Sequence, residues 1–175
     1  MKRKNNDIGT KIWNIIENIM DYILRKIFRL KISDKQWNTL TQFVKFGIVG
    51  LSNTIISYLI YVIALLIFQK NVWIPSWDYL AAQIIAFVLS VLWAFYWNNK
   101  YVFQKGKNAQ RSLVKTLLKT YMSYAFTGLF LNSILSFLWV EVLYISKLVA
   151  PIINLLISVP LNFVMNKFWA FRDKK

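Results

Sequence analysis

Every fourth residue from 154 to 166 carries a short polar side chain: Asn154, Ser158, Asn162 and Asn166. The surrounding sequence is apolar, so this spacing lays a polar stripe along one slowly drifting face of a helix. Neighbouring apolar stretches add Ser52, Asn53 and Ser57; Gln83, Ser90 and Asn98; and Ser123, Thr127, Asn132 and Ser136. A carboxamide both donates and accepts hydrogen bonds without carrying charge, which suits it to hydroxyl-rich ligands. In hydrocarbon it is costly unless paired, so all of these groups are expected to face the interior of a bundle. Taken singly, each suits an interhelical hydrogen bond. The stripe as a whole points to a polar pathway.

Acid–base chemistry finds little material. The seven acids are Asp7, Glu17, Asp21, Asp34, Asp78, Glu141 and Asp173, none inside an apolar stretch, and the chain has no His and no Cys. Group transfer by acid–base or metal assistance needs clustered carboxylates or His at the reacting bond. Proton coupling usually needs a carboxylate or His within the membrane. Catalysis, a metal or cofactor, disulfides and proton-driven pumping are therefore not expected. Binding is better supplied. Lys45, Lys100, Lys167 and Arg172 fall at the same ends of the apolar stretches, close to Asn98 and Asn166. Cations at headgroup level attract phosphate, and carboxamides bond sugar hydroxyls, so the combination fits a phosphorylated lipid with a polar head. Ordinary charge anchoring accounts for the cations equally well, but not for the stripe.

The elements that must position these groups follow from hydropathy. Of the 175 residues, 57% are hydrophobic and 17% aromatic, yet the net charge is +15. Mean hydropathy is +0.43. Charge and hydrophobicity coexist because they are segregated. Four apolar stretches, Phe43–Phe68, Tyr79–Trp97, Tyr121–Val140 and Leu148–Met165, are each long enough to cross a bilayer. Twenty of the 22 Lys and Arg residues fall on one side of the resulting topology, leaving only Lys70 and Lys147 on the other. The positive-inside rule makes the basic side cytoplasmic and places both termini there. Trp73, Trp77, Tyr79, Trp139 and Tyr144 form an outer aromatic belt, and Tyr96, Trp97, Tyr101, Tyr121 and Trp169 an inner one.

Residues 1–40 differ. Ile8, Ile12, Ile15, Ile16, Ile19, Ile23, Ile27 and Leu30 recur at helical spacing, with Lys11, Glu17, Asp21, Arg25 and Arg29 mostly on another face. A basic amphipathic helix of this kind lies on an anionic lipid surface or docks on a partner protein. No cleavable signal peptide is apparent, so the segment is kept in the mature chain. The expected organisation is all-α: a cytoplasmic amphipathic helix over 1–40 and a four-helix membrane domain over 43–173. The ends of the second and fourth spans also match each other at a constant offset of 68 residues: SVLWAFYWNNKYVF (90–103) against SVPLNFVMNKFWAF (158–171). The domain then reads as two helical hairpins in the same orientation, an arrangement that in transporters places sites near the repeat interface.

FVKFGIVGLSNTIISYLIY (43–61), AAQIIAFVLSVLWAFYWNNKYVF (81–103) and NKFWAF (166–171) resemble the GtrA-like family of small bacterial four-span membrane proteins. Ser57 stands where many relatives are expected to carry an acidic residue, so no carboxylate role in the first span is carried over. The resemblance implies a flippase that moves a polyprenyl-phosphate-linked monosaccharide, often glucose, across the bacterial cytoplasmic membrane for surface polysaccharide or teichoic-acid glycosylation. Its alternative is a non-transporting scaffold for a membrane glycosyltransferase. On this reading Lys45, Lys100, Lys167 and Arg172 hold the phosphate. Asn53, Gln83, Asn98, Asn132, Asn154, Asn162 and Asn166 bind the sugar, and Trp93 and Trp97 stack on it. Expected partners are the lipid-linked sugar, anionic lipids, a glycosyltransferase and a second copy of the chain, with no nucleic acid.

Overall fold

The computed structural model describes residues 8–71, 77–106, 110–146 and 149–173. Trp73, Lys107, Lys147 and the basic residues at both ends of the chain (Lys2, Arg3, Lys4, Lys174 and Lys175) lie outside the described residues, as does the Ile8 side chain. Among the described residues all regular structure is helical except an isolated bridge at Gln110. Among the described residues four helices are long and apolar enough to cross a membrane: Asp34–Lys70, Asp78–Val102, Leu113–Val142 and Ile152–Ala170.

Helix α1 (Ile8–Asp21) continues through a wide turn over Tyr22–Ile27 and ends near Phe28. It does not extend to residue 40. Helix α2 (Asp34–Asn71) begins nine residues before the expected start of the first apolar stretch at Phe43. The start is fixed by Ser33 and Gln36: the Ser33 backbone N–H donates to Gln36 Oε1 at 3.0 Å, and the Gln36 N–H to Ser33 Oγ at 3.4 Å. This reciprocal pair is a capping box.

Helix α3 (Asp78–Trp97) runs back along α2 and ends in a wide turn over Asn98–Val102. Ala82, Ala86, Ser90 and Ala94, all 3% exposed or less, form a line of small residues down its buried face. Such a line lets helix backbones approach closely in a membrane. The third span is composite: α4 (Leu113–Ala125), a wide turn at Phe126–Leu131, α5 (Asn132–Phe137) and a wide turn at Leu138–Val142. It starts eight residues before the expected Tyr121, because Lys115 and Lys119 interrupt the apolar run without ending the helix. Helix α6 (Ala150–Met165) contains Pro160, which leaves the Leu156 carbonyl without its helical donor. A wide turn over Asn166–Ala170 follows.

The matched ends of the second and fourth spans share a local geometry. Asn98 and Asn166 both open a π-helical turn, closed by Phe103 N–H to Asn98 O at 2.7 Å and Phe171 N–H to Asn166 O at 2.8 Å. Phe95 stacks on Phe171 and Phe163 packs on Phe103, each pair with centroids 5.8 Å apart, while Phe103 and Phe171 meet at 4.8 Å. The first two contacts exchange under the 68-residue offset, and the third maps onto itself. The two motif ends thus meet in reciprocal ring contacts around the Phe103–Phe171 pair.

Candidate functional site

The stripe on α6 faces inward as its spacing requires: Asn154, Ser158, Asn162 and Asn166 are 5%, 7%, 8% and 0% exposed. Its counterparts on α3 at the same offset are Ala86, Ser90, Ala94 and Asn98. Where the first hairpin closes tightly through alanine, the second presents carboxamides. Opposite lies a polar face of the third span made by Thr116, Thr120, Ser123 and Thr127, all buried. Their hydroxyls donate to carbonyls four residues earlier, at 2.8 to 2.9 Å, so they need no partner from another helix. Thr116 and Thr120 precede Tyr121, the expected start of the third span, so the apolar pattern does not place them in it.

Hydrogen bonding divides the stripe. Asn154 is fully engaged: it donates to Ser136 Oγ at 2.8 Å and Asn132 O at 3.3 Å, and accepts from Trp139 Nε1 at 3.0 Å. It clasps α5 to α6. Deeper toward the basic end, Asn166 Nδ2 donates to Asn162 O and Oδ1 at 2.9 and 2.8 Å. Asn166 Oδ1 and both amide atoms of Asn98 are buried without a hydrogen-bond partner. The Tyr124 hydroxyl lies beside Asn98, but the two do not form a well-aligned hydrogen bond. Buried polar groups are nearly always satisfied, and a cluster left open is one that water or a ligand hydroxyl can fill.

Next to this cluster a cleft of about 320 Å³ opens between α2, the third span and α6. Asn162, Ser158, Thr127 and Tyr124 supply its polar wall, and Gly47, Gly50 and Gly128 line it. A Cβ built on any of these three glycines meets nothing within 4 Å. No neighbour presses on them, so their effect is to leave the cleft open.

Other expected site residues lie elsewhere. Gln83 is exposed, beside the buried Ala82 and Ala86, so the expectation that it faces the interior does not hold. It sits on the outward side of a helix whose inward line is the alanines. Asn53 and Asn132 are half-buried, each with an unpartnered Oδ1. Trp93 donates from Nε1 to Ser52 Oγ at 3.2 Å. It begins an aromatic ladder, Trp93–Trp97–Tyr101–Trp13, with centroids 5.3 to 5.9 Å apart. Neither Trp93 nor Trp97 lines the cleft.

The four cations are not gathered at one point. Lys45 pairs with Glu17 at 2.5 Å, and Lys100 lies over Tyr96 and Tyr101. Lys167 donates to Thr39 Oγ1 at 3.0 Å. Arg172 lines a separate basic cavity that includes Arg111. Through Lys45 and the ladder, α1 is docked on the bundle: Trp13 is 8% exposed, and Gly9 abuts the Tyr101 hydroxyl so closely that a Cβ there would collide with it. Ile12, Ile15, Ile19 and Ile27 remain more than half exposed.

Arg111, which the sequence did not mark, ties the repeats together. Its Nη1 donates to Phe171 O at 2.9 Å, and its Nη2 to Phe103 O at 2.9 Å and Asn99 Oδ1 at 2.7 Å. The two carbonyls are equivalent under the 68-residue offset. Asp173 stands 3.5 Å away. Burial pushes the guanidinium below its ordinary pKa and the Asp173 carboxylate opposes that shift; an arginine so placed stays charged.

Residues 45–171 match the GtrA/DPMS transmembrane domain. The chain is 32% identical over 103 residues to the cell wall teichoic acid glycosylation protein GtcA of Listeria monocytogenes serovar 1/2a, covering 59% of this chain and 70% of that one. The corresponding protein of Listeria innocua serovar 6a is 30% identical over 100 residues, 57% of this chain and 68% of its own. A Bacillus subtilis membrane protein, YwcD, is 31% identical over 98 residues, 56% of this chain and 76% of its own. No solved structure matches.

Proposed function

The chain belongs to the GtrA/DPMS transmembrane domain family, and from that premise we propose that it carries a polyprenyl-phosphate-linked monosaccharide from the cytoplasmic to the outer leaflet of a bacterial cytoplasmic membrane. The sugar is destined for glycosylation of a wall polymer, the process named for its Listeria relatives. The observation that carries the proposal is the open hydrogen-bonding capacity of Asn98 and Asn166 beside the glycine-lined cleft that Asn162 lines. Sugar hydroxyls replace there the water they lose on entering the bilayer, which offsets the desolvation that otherwise forbids the crossing. The prenyl chain stays in lipid alongside.

Asn154 is assigned to holding the third span on α6, and Trp93 and Trp97 to docking α1 and closing the first hairpin. The chain itself makes and breaks no covalent bond. Asp34, Asp78 and Glu141 stand at the ends of the spans and none in their middle, so net movement is drawn by consumption of the sugar outside. A second reading, a scaffold for a glycosyltransferase, is favoured by the exposed isoleucines of α1, a surface suited to a lipid face or a partner helix.

The two separate in cells lacking the chromosomal copy. Asn162→Leu is expected to abolish polymer glycosylation while lipid-linked sugar accumulates and a partner glycosyltransferase stays active in membranes. Normal glycosylation with this variant favours the scaffold.

A further inference from the structure

At the basic end of the bundle, a cavity of about 390 Å³ lies between the segment after α3, the first turns of α4 and the chain beyond α6. Lys105, Arg111, Ser112, Lys115, Lys119 and Arg172 line it. We propose that this cavity is a phosphate-binding pocket and that it receives the phosphate of a prenyl lipid carrier. The ligand class rests on the reading of the chain as a lipid-linked sugar carrier.

Three features make the pocket a built site rather than a patch of surface charge. Arg111 is fixed by three hydrogen bonds, its side chain is only 4% exposed, and its Nε is buried with no acceptor. Helix α4 begins at the cavity, with Ser112 as its cap accepting from the Lys115 N–H at 3.5 Å. Its first backbone N–H groups and positive dipole end are therefore beside the pocket. Lys105, Lys115, Lys119 and Arg172 add four further cations. The single carboxylate in contact with this group among the described residues is Asp173, held by Arg111 and by the Gly106 N–H at 3.1 Å.

Placement favours a lipid over a free anion. Lys115 and Lys119 lie in the first two turns of the third span, and Ala170 ends the fourth. Lys119 donates to Trp169 O at 3.2 Å and lies over the Trp169 ring, an aromatic of the kind that anchors at headgroup depth. A phosphate here is held at the level of the headgroups while its prenyl chain remains among lipid tails. The pocket differs from the expected quartet of cations, of which it contains only Arg172.

The test uses the full chain in phosphatidylcholine nanodiscs and a photoreactive polyprenyl monophosphate, with inorganic phosphate as the soluble arm. Lys115→Gln/Lys119→Gln/Arg172→Gln removes three of the pocket's charges, and Lys26→Gln/Lys31→Gln/Lys35→Gln removes the same charge from the segment that runs from the turn after α1 to the start of α2. The pocket variant is expected to bind the lipid about tenfold or more weakly, each lost charge-assisted bond counting toward that factor. The control is expected to bind normally, and cross-links to fall within 111–119 and 169–172. Equal loss in both variants, or cross-links elsewhere, overturns the pocket. Inorganic phosphate binding as tightly as the lipid overturns the lipid as its occupant. The probe carries no sugar and nothing is translocated, so a chain that flips sugar while its pocket variant binds the lipid normally refutes the pocket alone.

Discussion

Replacing Asn154 and Asn162 by leucine tests the division of the polar stripe into clasp and site. Leucine keeps the branching of asparagine and removes every hydrogen bond. At position 154 three bonds disappear, and the half-buried Trp139 N–H loses its acceptor. Interhelical bonds in membranes average about 0.6 kcal/mol. A buried donor left unpaired costs about 1–3 kcal/mol more. Asn154→Leu should therefore destabilise the chain by about 3–5 kcal/mol. At position 162 only the bond from Asn166 to Oδ1 is lost, because Asn166 Nδ2 keeps the Asn162 carbonyl at 2.9 Å. That cost should be about 0.6 kcal/mol or less, and the cleft beside the residue leaves room for the added methyl volume. Reversible unfolding in mixed detergent micelles gives the two stabilities, and proteoliposome transport gives the activities. The orders should be opposite: Asn154→Leu weaker in stability, Asn162→Leu weaker in transport. A loss of 2 kcal/mol or more at position 162 (about three times the bond that is removed) would show that Asn162 is structural and sink the assignment.

Arg111→Gln breaks the contact shared by the Phe103 and Phe171 carbonyls, and should lower stability by about 2–4 kcal/mol in the same unfolding assay. Arg111→Lys should recover only part of this, since one ammonium cannot span both carbonyls and Asn99. Gly9→Leu forces α1 away from Tyr101; protease cleavage between residues 28 and 33 should become faster while the bundle's unfolding midpoint stays unchanged. In this cysteine-free chain, Ser146→Cys should react with an impermeant maleimide from outside intact cells and Gln110→Cys should not; the reverse would end the orientation argument.

The span count was legible because charge and hydrophobicity are segregated along the chain. Lys115 and Lys119 hid the start of the third span, since a hydropathy reading treats a lysine one turn inside the membrane as an ending. The inward direction of Asn154, Ser158, Asn162 and Asn166 followed from spacing alone. Which of them is satisfied did not, because Ser136, Asn132 and Trp139 come from another helix. Gln83 shows the limit of composition: its polarity suggested an interior position, but the inward line of α3 belongs to Ala82, Ala86 and Ala94. Gly47, Gly50 and Gly128 matter through empty space, which no residue type announces. Arg111 was one cation among several in a basic segment. Only the pairing of Phe103 with Phe171, already present in the repeat, hinted that something must bind both carbonyls.

The cleft itself gives the most direct test. Proteoliposomes are loaded with polyprenyl-phosphate glucose, and an impermeant glycosidase outside reports the fraction of sugar exposed. Without protein, about half of the lipid should be accessible, and the rest should stay protected because the headgroup is costly to desolvate. Wild-type protein should make nearly all of it accessible. Gly50→Leu and Gly128→Leu each place a side chain in open space and improve helix propensity by up to about 1 kcal/mol, so both should fold at least as well as wild type. Each should return accessibility to about the level of empty vesicles, because the cleft they fill is the path. Full accessibility with both leucines in place would contradict the account.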